Sequence, residues 1–144
     1  MRAVGDITNQ INTKRPDGLN KFDKPYRVLV VDDSSTMRKI VIQHLKSEAY
    51  EICAEAATGK EAVERFKETT PDIVTLDVNM PEMDGITALK TILTYDKAAR
   101  IVMLTSEGEK TVVLQCITAG AKGYVVKPPV RAKLCEAVKK ALED

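Results

Sequence analysis

The amino-acid sequence predicts a single doubly wound α/β domain in which five parallel strands alternate with five helices. From Tyr26 onward, five short apolar runs alternate with five segments whose apolar residues recur at helical spacing. This alternation is typical of a parallel sheet with right-handed crossovers and helices on both faces. A length of 144 residues suits one hydrophobic core. We assign residues 26–144 to the domain. Residues 1–25 are mostly polar and are predicted to form a flexible tail.

The first two strand–helix units are predicted before residue 70. Residues 28–31 are all apolar, which is typical of a strand buried on both faces. Ser34 or Ser35 can cap the helix that follows. A weaker strand over residues 51–56 is predicted at an edge of the sheet or next to it. Thr58 and Glu61 have the spacing of a capping box and begin the second helix. The expected core positions of the two helices are Met37, Ile40, Val41, Leu45, Ala62, Val63 and Phe66.

Three further units follow. The third strand covers residues 73–77 and precedes a helix over about residues 86–95. The fourth strand covers residues 101–104, and its helix is predicted to stop at Gly120. The fifth strand covers residues 124–126 and precedes the last helix. The apolar faces of the last two helices are expected to contain Val112, Val113, Cys116, Ile117, Val130, Leu134, Val138 and Leu142.

Composition excludes several classes of function. The net charge of +1 gives no electrostatic reason to expect a nucleic-acid partner. No apolar run approaches the roughly 20 residues of a membrane span, and the N-terminus lacks the apolar core of a signal peptide. The single histidine, His44, is predicted to lie on a helix surface. Three widely spaced cysteines, without a CxxC motif, are typical of reduced thiols in a cytoplasmic protein: Cys53, Cys116 and Cys135.

Polar side chains occur where the predicted strands end. Asp32 and Asp33 follow the first strand, Asp77 ends the third, Thr105 follows the fourth and Lys127 follows the fifth. The carboxyl ends of parallel strands share one edge of the sheet, and ligands bind there in open α/β folds. One such aspartate alone would be interpreted as a turn residue. Five such residues together indicate a functional site.

The residue types at this edge favour phosphoryl transfer. Three crowded carboxylates repel one another, so a cation is required, and Mg²⁺ suits a partly hydrated site with oxygen ligands. Lys127 supplies a second positive charge. A carboxylate beside a metal ion, an ammonium and a hydroxyl can itself accept a phosphoryl group, and Asp77 is the candidate.

Two stretches resemble those of two-component response regulator receiver domains, and among these the chemotaxis regulators. They are residues 32–38 (DDSSTMR) and residues 77–85 (DVNMPEMDG). The resemblance covers residues 26–144. It implies the flavodoxin-like strand order 2-1-3-4-5, which is taken from the family and not from the residues. It also implies a cis peptide bond between Lys127 and Pro128.

The resemblance assigns roles to individual residues. Asp77 is the implied phosphoacceptor, with Asp33 as a direct Mg²⁺ ligand and Asp32 acting through water. Asn79 is expected to offer its backbone carbonyl to the metal, and Lys127 matches the lysine of the family. Thr105 and Tyr124 correspond to the switch hydroxyl and switch aromatic; from its sequence position alone, Tyr124 could equally be an ordinary surface aromatic.

The implied function is that of a stand-alone cytoplasmic regulator, with no effector domain attached. A histidine kinase would be the phosphodonor, and a dedicated phosphatase could remove the group. The monomer would signal by binding a partner such as the flagellar motor switch, through the face formed by the fourth helix, fifth strand and fifth helix. Its only expected chemistry is Mg²⁺-dependent self-phosphorylation and autodephosphorylation.

Three other functions share features with this sequence. Within the same family, a phosphorelay intermediate would pass the group to a histidine phosphotransfer protein. A phosphatase of the haloacid dehalogenase type would need a second aspartate at position 79, where this chain has Asn79, which cannot transfer a proton at neutral pH. A flavodoxin-like cofactor carrier would place a phosphate against Asp32 and Asp33, which would repel it.

Overall fold

A five-stranded parallel sheet runs through the computed structural model, which describes residues 14–81, 83–106 and 110–143. The strands are β1 (Arg27–Val31), β2 (Glu51–Ala56), β3 (Ile73–Asp77), β4 (Ile101–Ser106) and β5 (Gly123–Lys127). Their order in the sheet is β2-β1-β3-β4-β5, and every neighbouring pair is parallel. The predicted fold class and strand order are confirmed, and the weak strand β2 lies at an edge.

Five helices of the described residues cover the sheet. They are α1 (Ser35–Lys46), α2 (Gly59–Thr69), α3 (Gly85–Tyr95), α4 (Lys110–Ala119) and α5 (Arg131–Glu143). Apolar side chains of α1 and α5 pack in one buried cluster, and those of α2, α3 and α4 pack in another. Successive residues of β1 alternate between these clusters, because neighbouring strand side chains point to opposite faces. No helix in the described ranges combines the length and apolar character needed to cross a membrane.

Side-chain caps begin three of the helices. The Ser34 hydroxyl accepts a hydrogen bond from the amide of Met37, and the Thr58 hydroxyl accepts one from the amide of Glu61. The Glu61 carboxylate accepts from the amide of Ala57, one residue before the position that a strict capping box would use. Asp84 caps α3 in the same way. These caps satisfy amides that have no partner inside the helix, and they fix where each helix leaves the sheet edge.

Several predicted core and surface positions differ from the structure. Val130 is 63% exposed because α5 begins one residue later, so Val130 belongs to the connection and not to the buried face. Ile117 is 42% exposed, since α4 buries only Cys116 fully. His44 is half-buried, and its Nε2 lies 3.2 Å from the carbonyl oxygen of Pro129, between α1 and the start of α5.

The segment of residues 14–25, expected to belong to a flexible tail, lies against the domain. Gly18 donates to the carbonyl of Glu48 at 2.7 Å, and its own carbonyl accepts from Tyr26 at 2.7 Å. The amide of Asp17 donates to the Glu48 carboxylate, and the Asp17 side chain lies 3.7 Å from Lys139 of α5. Backbone pairing therefore holds this segment despite its polar composition. Residues 1–13 of the expected tail lie outside the described residues, and the domain boundary at residue 25 stays a prediction.

Replacing Gly18 by alanine should release this segment. A Cβ atom at Gly18 would lie 2.3 Å from the Glu48 carbonyl oxygen and 2.4 Å from the Tyr50 amide nitrogen, which are backbone atoms with no room to move. We expect Gly18→Ala to lower the free energy of unfolding by about 1–3 kcal/mol. Trypsin should also cut faster within residues 14–25. Phe22→Ala is the control, because Phe22 is 71% exposed. Unchanged protection in Gly18→Ala would show that the segment is not held by this contact.

Candidate functional site

The carboxyl ends of four strands place the predicted site residues at one edge of the sheet. Asp77 is the last residue of β3 and pairs in register with Leu104 of β4, immediately before Thr105. Lys127 is the last residue of β5 and pairs with Ser106. Asp32 directly follows β1, the neighbour of β3. Parallel pairing alone therefore brings together side chains that are far apart in the chain.

Asp77 is a buried carboxylate with one cationic partner. Its side chain is 1% exposed, and its Oδ1 atom lies 2.8 Å from Nζ of Lys127. The same oxygen accepts a hydrogen bond from the amide of Asn79 at 3.2 Å. The other oxygen, Oδ2, is buried and accepts no hydrogen bond from the described residues. Such an oxygen is costly to bury unless a ligand uses it.

Asp32 shares the same lysine. Its Oδ1 atom accepts from the amide of Ser34 at 2.9 Å, and its Oδ2 atom lies 3.0 Å from Nζ of Lys127. The Lys127 ammonium is the partner that the described residues provide for this buried oxygen. One ammonium thus serves two buried carboxylates.

Asp33 completes an acidic cluster. Unlike Asp32 and Asp77, it is exposed, and one carboxylate oxygen from each of the three residues lies within 4.8 Å of the others. Three carboxylates, one of them with a buried oxygen (Asp77 Oδ2) that has no donor among the described residues, are the donor set that a hard divalent cation binds. The residues present therefore fit a metal ion, with Asp33 on the solvent side.

Burial and charge shift the pKa values of this cluster. Burial raises the pKa of the Asp77 carboxyl to about 6 from an ordinary value of 3.8; the charge of Asp32 also raises it, whereas Lys127 opposes the rise. Burial alone would lower the pKa of Lys127, but its two carboxylate partners outweigh burial and raise that pKa. Asp77 is therefore mostly ionised at neutral pH and Lys127 is charged.

Gly85 allows the chain to turn tightly beneath Asp77. Its amide donates to the carbonyl of Val78 at 2.8 Å. A Cβ atom at this position would lie 2.0 Å from the Asp77 carbonyl oxygen and 2.7 Å from the Val78 Cα atom, so no other residue fits without a backbone shift. The Asp-Gly pair thus both caps α3 and keeps its first turn against the strand that carries Asp77.

The remaining predicted residues surround the cluster. Thr105 is buried, and its hydroxyl donates to the carbonyl of Ser106 at 3.3 Å. Asn79 is exposed at the start of the connection after β3. Tyr124 is 47% exposed and pairs in register with Met103, so its ring lies outside the core. The peptide bond between Lys127 and Pro128 is cis, as the family resemblance implied.

An apolar patch lies on the α4–β5 side of the molecule. Its large side chains are between 41% and 65% exposed: Leu114, Ile117, Tyr124, Val126 and Val130. Isolated exposed apolar residues are common, whereas a contiguous group is typical of an interaction surface. Two of these, Ile117 and Val130, are the residues that sequence patterns assigned to the core.

Arg38 ends the stretch of residues 32–38 that carries the family resemblance, but the sequence assigned it no role at the site. Its guanidinium donates to the backbone carbonyl of Asp32 at 2.7 Å and to the carboxylate of Glu55 at 2.9 Å. Helical spacing in α1 shows only that Arg38 lies away from the most buried positions. Its partner Glu55 is on β2, and nothing in the sequence links the two residues.

Comparison with known proteins agrees with this geometry. The family model described as the response regulator receiver domain matches residues 28–139. The chain belongs to this receiver family. Chemotaxis protein CheY of Bacillus subtilis is 46% identical over 117 residues, which cover 81% of this chain and 98% of that protein. CheY of Treponema pallidum is 44% identical over 135 residues, covering 92% of this chain and 94% of that protein.

The receiver domain also resembles solved structures. A chain in the crystal structure of a CheX–CheY–BeF3–Mg²⁺ complex from Borrelia burgdorferi matches with a TM-score of 0.84 and 43% identity, covering 87% of this chain and 96% of that chain. The response regulator domain of CheB from Thermotoga maritima matches with a TM-score of 0.79 and 32% identity, covering 84% of this chain and 98% of that chain. The chain is thus a receiver domain of the CheY type, a component of two-component signalling.

The raised pKa of Asp77 predicts a pH-dependent stability difference. Because this pKa is higher in the folded protein, the protonated Asp77 carboxyl favours the folded state. Its contribution to the free energy of unfolding is fully present below pH 3.8 and is lost as the pH rises through 6. Without added metal, the free energy of unfolding of Asp77→Asn at pH 7.5 should therefore exceed that of the native protein by about 2–3 kcal/mol. The advantage should shrink towards pH 4.

Urea unfolding at the two pH values measures this difference. Thr75→Ser is the control, since Thr75 is buried on the same strand and carries no titratable group. An Asp77→Asn advantage that is equal at pH 4 and pH 7.5 would contradict a raised pKa.

Proposed function

We propose that this chain is a response regulator that accepts a phosphoryl group on Asp77 and passes the signal on by binding a partner. The observation that carries the proposal is the buried Asp77 carboxylate, which pairs with Lys127 at 2.8 Å and keeps one oxygen to which no described residue donates a hydrogen bond. A carboxylate with only a structural role would have both oxygens satisfied. This one is ionised at neutral pH and has an oxygen available to a reactant.

The proposed chemistry is an in-line displacement at phosphorus. A carboxylate oxygen of Asp77 attacks the phosphorus of the donor, and the bond between phosphorus and the donor atom breaks, with its electron pair leaving on the donor. The donor is a phosphohistidine of a kinase or a small acyl phosphate. The Lys127 ammonium, already between Asp32 and Asp77, would pair with a phosphoryl oxygen. Thr105 is buried and directly follows Leu104, the residue that pairs with Asp77, and its hydroxyl would donate to a second phosphoryl oxygen.

The acidic cluster supports Mg²⁺ as the cofactor. Asp33 would hold the ion directly, Asp32 would act through water and Asn79 would contribute its backbone carbonyl, while Asp77 would supply a further carboxylate oxygen. A bound Mg²⁺ offsets negative charge on the transferring phosphoryl group. The exposed position of Asp33 suits an ion that keeps several water ligands.

Acetyl phosphate tests the phosphoacceptor. In the presence of Mg²⁺, the native protein should gain one phosphoryl group, measured by intact mass, and Asp77→Asn should gain none because the amide is a poor nucleophile. The matched control is Asp84→Asn, whose aspartate lies in the same connection and caps α3. Undiminished labelling of Asp77→Asn would assign the phosphoryl group to a different residue.

A switch through Thr105 and Tyr124 would carry the signal to the surface. A phosphoryl group adds negative charge and acceptor oxygens at Asp77, and these attract the Thr105 hydroxyl, which among the described residues donates to Ser106 at 3.3 Å. Movement of Thr105 would leave space beneath its connection. The Tyr124 ring, 47% exposed and on the neighbouring strand, could turn inward to fill it. The apolar patch beside Tyr124 would then change shape, which makes the pair a two-state element.

The switch is tested by replacing Thr105 with alanine. This variant should still be labelled at Asp77. It should lose the coupling free energy, about 1–3 kcal/mol, between phosphorylation of Asp77 and burial of the Tyr124 ring. NMR of protein with labelled tyrosine reports that burial, and Tyr124→Phe assigns the signal among the four tyrosines. The control is Ser106→Ala, which removes the exposed neighbouring hydroxyl. Full burial of Tyr124 in phosphorylated Thr105→Ala would exclude this route.

The proposed partners follow from the receiver family. A histidine kinase would supply the phosphoryl group in the cytoplasm, and a flagellar motor switch protein or another output protein would bind the patch on α4 and β5. The similar complex from Borrelia burgdorferi pairs a CheY with CheX, which supports a further protein partner for this chain. Transfer of label from Asp77 to a histidine of a partner would favour the phosphorelay alternative.

A further inference from the structure

Arg38 joins the metal-binding turn to the edge strand of the sheet. Its Nη1 atom donates to the backbone carbonyl of Asp32 at 2.7 Å, and its Nε atom donates to Oε1 of Glu55 at 2.9 Å. The Arg38 side chain is 18% exposed, whereas that of Glu55 is 50% exposed. An arginine can make both contacts at once because its donors form a rigid planar fork. A lysine at this position has one nitrogen and cannot reproduce the geometry.

The contact with Asp32 is part of a complete set. The Asp32 amide donates to the Ala56 carbonyl at 3.1 Å, and its carboxylate pairs with Ser34 and Lys127. The carbonyl is the remaining polar group of Asp32, and Arg38 occupies it. With this contact each polar group of Asp32 has a partner: Ala56 for the amide, Arg38 for the carbonyl, and Ser34 and Lys127 for the carboxylate.

Holding the Asp32 carbonyl also orients Asp33. The peptide unit between the two residues is planar, so the direction of the Asp32 carbonyl sets the direction of the Asp33 amide and the position of the Asp33 Cα atom, from which the side chain starts. The Asp33 carboxylate is exposed and accepts no hydrogen bond from the described residues. Its position relative to Asp32 and Asp77 therefore depends on the backbone, which Arg38 holds at the Asp32 carbonyl and the Asp32 carboxylate holds at the Ser34 amide.

We propose that Arg38, tied to Glu55, is a positioning residue that preorganises Asp33 for metal binding. The inference rests on the proposed function, because it assumes that the acidic cluster binds Mg²⁺. Hydrogen bonds that orient a metal-binding residue without touching the metal typically account for about 10–100-fold in metal affinity. Since only one exposed ligand is affected, about tenfold weaker Mg²⁺ binding is expected without Arg38. The phosphoryl-transfer rate at saturating Mg²⁺ should change little, because Asp77 and Lys127 do not contact Arg38.

Arg27 provides a matched control. Its Nη1 atom donates to the carbonyl of Thr69 at 2.7 Å, and its Nε atom lies 3.5 Å from Glu51 of β2. It therefore joins a backbone carbonyl and a glutamate of the same edge strand, as Arg38 does. It does so at the amino end of β1, however, far from the acidic cluster.

The experiment is an NMR titration of the metal-free full chain with Mg²⁺. Native protein, Arg38→Ala, Arg38→Lys, Arg27→Ala and Asp33→Ala are compared. Amide shifts give the Mg²⁺ dissociation constant and report the Asp33 amide before metal is added. We expect Arg38→Ala and Arg38→Lys to shift the Asp33 amide and to bind Mg²⁺ about tenfold more weakly, with Arg27→Ala unchanged. Labelling by acetyl phosphate at saturating Mg²⁺ should then return close to the native rate in Arg38→Lys.

The outcomes separate the inference from the function on which it rests. Native Mg²⁺ affinity in both Arg38 variants would overturn the inference, and so would an equal loss in Arg27→Ala, which would indicate a general effect of stability. If Arg38→Ala fails to fold, Arg38→Lys decides the result, because it keeps the charge and the aliphatic stem. If Asp33→Ala binds Mg²⁺ as tightly as the native protein, the proposed metal site itself fails, and the inference fails with it.

Discussion

Three carboxylates at one edge of a parallel sheet are the constraint on which this structure depends. One oxygen from each lies within 4.8 Å of the others, and two of the three residues are almost fully buried. Such a cluster is unfavourable in isolation, since burial and like charge both oppose ionisation. A single lysine, 2.8 Å from Asp77 and 3.0 Å from Asp32, offsets part of that repulsion. The remaining negative charge suits the site to bind a cation and a phosphoryl group.

The fold and the position of the site could be predicted because their signals are local. Apolar runs, turn residues and helix caps lie within a few positions of each other in the chain, and the ends of parallel strands must meet at one edge. The caps at Ser34, Thr58 and Asp84 follow from side-chain chemistry that the sequence shows directly. The strand order, by contrast, came from resemblance to a family, because nothing in the residues orders five parallel strands.

Contacts between distant segments were not predictable. The N-terminal segment is polar and was expected to be flexible, yet Gly18 pairs through its backbone with the turn after α1, and composition does not report backbone pairing. Val130 and Ile117 have the helical spacing of core residues, yet both are exposed, because α5 begins after Val130 and α4 buries Cys116 instead of Ile117. The Arg38–Glu55 pair joins residues 17 positions apart on different elements. Side-chain patterns describe single elements, whereas these features depend on how elements meet.

The shared lysine has a consequence for the chain during its synthesis. Lys127 lies on the last strand, so a chain growing from its amino end can pair β1 with β3 before β5 exists. At that stage no ammonium would lie between Asp32 and Asp77. Like-charge repulsion then opposes burial of the two carboxylates and favours their contact with water. A chain cut short before its fifth strand can therefore bury these two carboxylates only without their ammonium partner, and we expect this edge of the sheet to be less stable than in the completed domain.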